Sequence, residues 1–268
     1  MSSFATEGRA LERARPLSFR LRGAARRAAL AALTRLPRSS GPGVRIVHYH
    51  YVFDDERERF AEQLRFLARE FAPVSLSQAV ERLRLGRAQG DELVVTFDDG
   101  FRNQLENAAP LLAEHGFSAC FFLVGDLLDA DQKQARAFCR EKLHLPLPVE
   151  PLDWDGASRL IELGHEIGSH TRSHPNLASL DDEALLDELA SSREQLSKRL
   201  GAVRHVSAPY GDRARFSEAV ADAARAAGYE SCASAIRGVN RSALDLYTLH
   251  RHHLSAAWPI RELRYFLA

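Results

Sequence analysis

The chain has 268 residues, 45% of them hydrophobic and 27% charged, with 36 basic side chains balancing 36 acidic ones. That is an ordinary globular composition, and the zero formal charge excludes a general attraction to nucleic acid or acidic polymers. No run of about 18 uncharged apolar residues occurs, which argues against a spanning helix. The three cysteines, Cys120, Cys139 and Cys232, are far apart, lack metal-type spacing and give no sign of an oxidising compartment.

Residues 1–43 stand apart as a basic N-terminal extension, partly helical or disordered. Nine arginines there face Glu7 and Glu12, a net of +7 that leaves −7 for the rest. Leu17, Leu21, Ala24, Ala28, Leu33 and Leu36 recur among them at roughly helical spacing. Two readings follow: a basic amphipathic helix making peripheral contact with an anionic membrane, or a tail that docks on the acidic body. The apolar core Ala28 to Leu33 is too short for a secretory signal. A cytoplasmic location, with the inner membrane face as a variant, is therefore the expectation.

Beyond the linker around Gly41-Pro42-Gly43, the elements alternate. Val44 to Val52 reads as a strand. Arg57 to Phe71 carries Phe60, Leu64, Leu67 and Phe71 on one helical face. Ser75 is an N-cap with Gln78 completing a capping box for a helix to about Leu85. The Leu93 strand, a helix over Asn103 to Glu114 and the Ala119 strand follow. Leu127 to Pro151, with Pro146, Pro148 and Pro151, reads as an irregular insertion near the site. Asp153 caps a helix to Leu163, which leads into the His165 strand. Asp181 to Leu200 is a long helix, and short strands near Val203 and Glu230 flank a helix over Ala214 to Ala227. This alternation predicts an α/β fold with a mainly parallel sheet and helices outside, occupying residues 44–268. A barrel would gather distant strand ends at one rim.

Two segments carry chemistry. Val94-Val95-Thr96-Phe97-Asp98-Asp99-Gly100 puts two carboxylates at the end of a buried strand. Adjacent acids belong in water or beside a cation that neutralises them. The second segment, Gly168-Ser169-His170-Thr171-Arg172-Ser173-His174-Pro175, carries two histidines in a shaped loop. Two neutral imidazoles and one carboxylate make an open three-ligand site for a divalent metal, zinc first, with cobalt, nickel or iron also fitting.

These segments, with Pro209-Tyr210-Gly211, resemble the three motifs of the polysaccharide deacetylases (carbohydrate esterase family 4, the NodB homology domain), in the same order. The resemblance runs from about Val44 to the C-terminus and implies a distorted (β/α)7 barrel. It implies that Asp99, His170 and His174 hold the metal and that Asp98 is the general base. Pro209 and Tyr210 would flank the substrate, with a backbone N–H near Tyr210 stabilising the oxyanion. Trp154 and Tyr210 are both candidate sugar platforms, and core packing is the competing reading for Trp154.

The chain departs from the common family pattern twice. The late Leu-x-His motif is replaced by a crowded Leu249-His250-Arg251-His252-His253. Like a Tyr-His-opening subset of the family, the chain instead has Tyr49-His50 on its first strand, so His50 is the expected catalytic acid, with His250 and His252 as rivals and His48 as its neighbour. Ser207 also stands where many members carry an arginine beside the catalytic aspartate. Arg251 is the expected substitute, with His250 as further support. The resemblance thus implies a metal-dependent hydrolase that removes an N-acetyl or similar acyl group from an amino sugar. A carbohydrate-binding pseudoenzyme of the same fold, or a docking factor using the basic N-terminus, are the alternatives.

Overall fold

The computed structural model describes residues 4–18, 21, 43–88, 90–241 and 245–267. Among the described residues, eight strands form one parallel sheet: β1 (Gly43–Tyr49), β2 (Ala72–Pro73), β3 (Asp91–Phe97), β4 (Ala119–Leu123), β5 (Glu166–Ser169), β6 (His205–Ser207), β7 (Ser231–Ala233) and β8 (His252–His253). Their order is β7-β6-β5-β4-β3-β1-β8, with β2 beside β3. The helices are α1 (Gly8–Ala14), α2 (Arg57–Glu70), α3 (Leu76–Arg84), α4 (Ala109–Glu114), α5 (Gln132–Glu141), α6 (Trp154–Glu162), α7 (Asp182–Leu200), α8 (Glu218–Ala226) and α9 (Ile260–Leu267). The expected distorted (β/α)7 barrel is therefore present as a curled parallel sheet wrapped by helices.

Strand alternation sorts side chains between two faces. Val47, Tyr49, Leu93, Val95, Phe97 and Phe121 pack outward against helices such as α2, α6 and α7. Val44, Ile46, Val94, Cys120 and Phe122 face the other way, in a cluster with Leu76, Ala79, Val80 and Leu83 of α3. Burial on both faces explains the continuous apolar runs in β1, β3 and β4. Continuing the second face toward the strand ends gives His48 after Ile46, and Thr96 then Asp98 after Val94.

One segment draws the sheet's two edges together. Leu249 bridges Ala233 of β7, and its N–H donates to the Cys232 carbonyl. Four residues on, His253 is the register partner of His48 in β1. The alternation within this closing segment puts Leu249, Arg251 and His253 on one face and His250 and His252 on the other.

Most expected elements are present, including the Ser75–Gln78 capping box and the Asp153 and Asp181 caps. Two differ. The Asn103–Glu114 helix begins as a π-turn over Gln104–Ala108, where the Ala109 N–H bonds to the Gln104 carbonyl five residues back. Pro110, which has no N–H to give the preceding turn, follows immediately. The insertion 127–151 is not wholly irregular, for it contains α5, capped by Asp131 with Gln134 in a second capping box.

At the N-terminus, α1 packs against the body. Leu11 is buried with Phe53, Phe101, Leu127 and Val149, and the N–H groups of Gly8 and Arg9 donate to the Asp55 carboxylate. The expected amphipathic stretch is represented only by Leu17 and Leu21, both exposed, and its remainder lies outside the described residues. Among the described residues, no helix is long and apolar enough to cross a membrane.

Candidate active site

The expected site residues lie where strands β1, β3, β5 and β6 end. Asp98 and Asp99 follow β3, His170 follows β5, Pro209 and Tyr210 come just after β6, and His50 follows β1. Asp99 has a φ of 73°, and the Gly100 N–H reaches back over it to the Asp98 carbonyl at 3.0 Å. This tight three-residue turn throws the Asp98 and Asp99 side chains in different directions. Gly100 follows at φ 81°, a conformation open to glycine without strain. The third motif repeats the device. Tyr210 has a φ of 61° and is spanned by a 2.7 Å bond from the Gly211 N–H to the Pro209 carbonyl.

Asp99, His170 and His174 converge as expected. All three are buried, and Asp99 Oδ1 lies 3.6 Å from His170 Nε2 and 3.4 Å from His174 Nε2. Ligands about 2.0–2.1 Å from a tetrahedral ion are separated by roughly 3.3–3.4 Å, so this spacing fits a zinc-class cation. Both Asp99 oxygens are buried without a hydrogen-bond partner, an arrangement a carboxylate tolerates poorly unless a cation uses it.

The two imidazoles are oriented from behind. His170 Nδ1 lies 2.8 Å from the Ser207 carbonyl, so it carries the proton and leaves Nε2 with a lone pair. Burial lowers the His170 pKa to about 4, keeping the ring neutral and able to coordinate. Thr171, at φ 66°, turns its hydroxyl to accept from the His174 N–H, and Ser169 Oγ accepts from the Thr171 N–H. The edges of the Tyr210 and Phe138 rings pack against the His174 imidazole. Tyr210 also donates through its hydroxyl to the Lys142 carbonyl, tying the 127–151 insertion to the site.

Asp98 is held differently. Arg251 grips it with two bonds, Nη1 to Oδ1 at 2.7 Å and Nη2 to Oδ2 at 2.8 Å. The same guanidinium donates to Ser207 Oγ at 2.7 Å and to the Ser234 carbonyl at 2.8 Å. The serine at the family's arginine position thus becomes an acceptor for an arginine arriving from the closing segment. Burial opposes ionisation of Asp98, yet Arg251 outweighs it and holds the carboxyl well below the usual range. Gln104 of the π-turn donates to the carbonyls of both His50 and Asp98, fixing the ends of β1 and β3 together. Sequence reading missed this glutamine, although its place just beyond the first motif is a signal that could have found it.

His50 is half-buried and lies near enough to Asp99 to favour its ionised form. Its ring neighbours are His48, at 5.5 Å between centroids, and His253, at 5.4 Å. The expected rivals do not join this group. The His250 ring lies against Gly238, and His252 projects from the opposite strand face. His250 therefore gives Asp98 no direct support, and the late histidine beside His50 is His253, which sequence reading did not single out. Trp154 is partly buried against the core, donates to Asp129 and lies under Arg199, which favours the packing reading.

Comparison with known proteins places this geometry in a lineage. The family model described as polysaccharide deacetylase matches residues 86–232. The chain is 31% identical over 125 residues to a peptidoglycan-N-acetylglucosamine deacetylase of Bacillus cereus, an alignment covering 45% of this chain and 37% of the relative. It is 32% identical over 123 residues to a chitooligosaccharide deacetylase of Azorhizobium caulinodans, covering 44% and 48%. The chain thus spans less than half the length of either relative. Among solved structures, the Streptococcus pyogenes deacetylase PplD in complex with acetate superposes with a TM-score of 0.69 at 17% identity, covering 86% of this chain and 100% of that one. IcaB from Ammonifex degensii gives 0.69 at 20%, covering 85% and 97%. These two likenesses show the shared fold. Since the family model spans more than half of the sequence, the chain belongs to the polysaccharide deacetylase family.

Proposed function

We propose that this protein is a metal-dependent amide hydrolase that removes an N-acetyl or similar acyl group from an amino sugar in a glycan or glycan precursor. The observation that carries the reading is the pair of neighbouring buried carboxylates with opposite provision. Asp98 is gripped by Arg251, whereas Asp99 has no hydrogen-bond partner and faces two imidazole nitrogens.

In this reading Asp99, His170 and His174 hold a divalent cation, zinc first. When bound, such an ion supplies Lewis acidity, making a water acidic near neutrality and polarising the acyl carbonyl. Asp98 takes the proton from the attacking water, and Arg251 keeps that carboxylate ionised and pointed. The Tyr210 N–H, presented by its tight turn, donates to the oxygen that becomes negative at the tetrahedral stage. His50 protonates the departing amine. The relatives named above as acting on N-acetylglucosamine in peptidoglycan and on chitooligosaccharides support an N-acylated amino sugar as substrate.

The test is acetate release from N-acetylglucosamine oligomers by the full chain, stripped of metal and then reconstituted with zinc, cobalt, nickel or iron. Metal-dependent release that Asp98→Asn abolishes, with bound metal retained, is expected. Release that persists in that variant would overturn the assignment of the base.

A further inference from the structure

A second group of nitrogen ligands lies on the barrel's inner face beside the Asp99 centre. His48 and His253 are register partners across β1 and β8, with ring centroids 5.1 Å apart, and His50 stands two residues beyond His48. One ring nitrogen from each of the three lies within 4.8 Å of the other two. His48 is 3% exposed, and its Nδ1 has no hydrogen-bond partner. A buried imidazole nitrogen left in this way is costly unless something draws on it. Burial, aided by nearby Arg251, holds the His48 pKa well below its ordinary value, so its lone pair is available.

We propose that His48, His50 and His253 form a second site for a zinc-class divalent cation, and that filling it silences the enzyme by occupying the His50 nitrogen. The inhibitory half rests on the reading of His50 as proton donor; the binding half does not. Three neutral imidazoles with an open fourth position suit zinc, copper, nickel or cobalt and disfavour magnesium or calcium. With no carboxylate among its ligands, the site leaves the ion's charge uncompensated and is weaker than the Asp99 centre. Ligand separations of about 3.3–3.4 Å require the ring nitrogens to draw in by at most about 1.5 Å. His48 is fixed in the strand, while His50 is half-buried and His253 is exposed. The His253 ring is backed by the indole of Trp258, 5.6 Å away and nearly perpendicular.

The experiment strips the full chain of metal, titrates it with zinc chloride and counts bound zinc by calorimetry and elemental analysis. Wild type is expected to take a tight ion and then a weaker one. Asp99→Ala should lose the tight ion alone. His253→Ala should lose the weaker one alone, and its retained tight ion reports an intact fold. His48→Phe provides a second test from the buried side. In acetate release, excess zinc should depress wild type about a hundredfold or more, the loss expected for a blocked general acid. His253→Ala should escape that inhibition, showing the same rate with and without excess zinc. A single zinc in wild type, or a second zinc undiminished in both His253→Ala and His48→Phe, would overturn the site. Two ions without inhibition would overturn the block on His50. If no acylated sugar were hydrolysed at all, the functional reading would fail while the zinc count still decided the site.

Discussion

Replacing Arg251 by methionine is the perturbation that separates the roles of the two aspartates. The substitution keeps the length of the stem and removes both bonds to Asp98, in a pair whose side chains are only 1% and 4% exposed. Breaking a buried, hydrogen-bonded ion pair from one side costs about 3–5 kcal/mol. The real loss should fall toward the lower figure, because the orphaned carboxyl can escape by taking up a proton. That escape is what ruins catalysis. With the guanidinium gone, only burial and weaker fields act on Asp98, and burial raises its pKa. A base already protonated cannot accept a proton, so turnover at neutral pH should fall by about a hundredfold or more. Bound zinc should stay unchanged, since Arg251 touches no metal ligand side chain.

The acidic limb of the pH–rate profile should move upward, so part of the rate returns as pH is raised. Arg251→Lys should be intermediate, because an ammonium restores charge without the two-pronged grip. An Arg251→Met enzyme with an unaltered rate and an unmoved acidic limb would refute the argument.

Other outcomes follow from the same geometry. Chelation should lower the melting temperature of wild type, because metal binding to the folded site is linked to stability, whereas Asp99→Ala, left with the weaker ion alone, should shift much less. Burial of Glu56 raises its pKa to about 7. The folded state therefore holds this proton more tightly than the unfolded chain, and stability should fall as pH climbs from about 4.5 to 7. Glu56→Gln should flatten that slope in urea denaturation series. Asp131→Ala removes the cap of α5 and should cost about 1 kcal/mol, read as a lowered denaturation midpoint.

The sequence made the barrel and the Asp99–His170–His174 cluster legible because both rest on short-range signals. Two acids ending a β-branched strand belong in water or beside a cation, and two histidines four apart in a glycine- and proline-bounded loop are the residue types that would complete a cation site. Even the remote Arg251 could be anticipated from the family resemblance, since Ser207 stands where many members carry the compensating arginine. What escaped depended on register. His250, His252 and His253 are chemically equivalent on paper, and a slip of one residue exchanges their faces. Only the pairing of His48 with His253 chooses among them. Helix α5 escaped for another reason. Its capping box was present in Asp131 and Gln134, but three prolines downstream dominated the reading of that stretch. The docking of α1 rests on contacts more than 40 residues apart in sequence, such as Gly8 with Asp55, which no local pattern announces.

The paired reversals at Asp99 and Tyr210 have a consequence for anyone wishing to make this protein more rugged. Both positions hold a side-chain-bearing residue in a conformation that glycine adopts far more cheaply, at a cost of order 1–3 kcal/mol each. Selection for heat resistance alone would therefore favour loosening these two corners, and every such gain would remove the Asp99 carboxylate or the ring that steadies His174. Durability and turnover pull against each other at these positions, so hardening this scaffold should begin at its helices and leave the rim untouched.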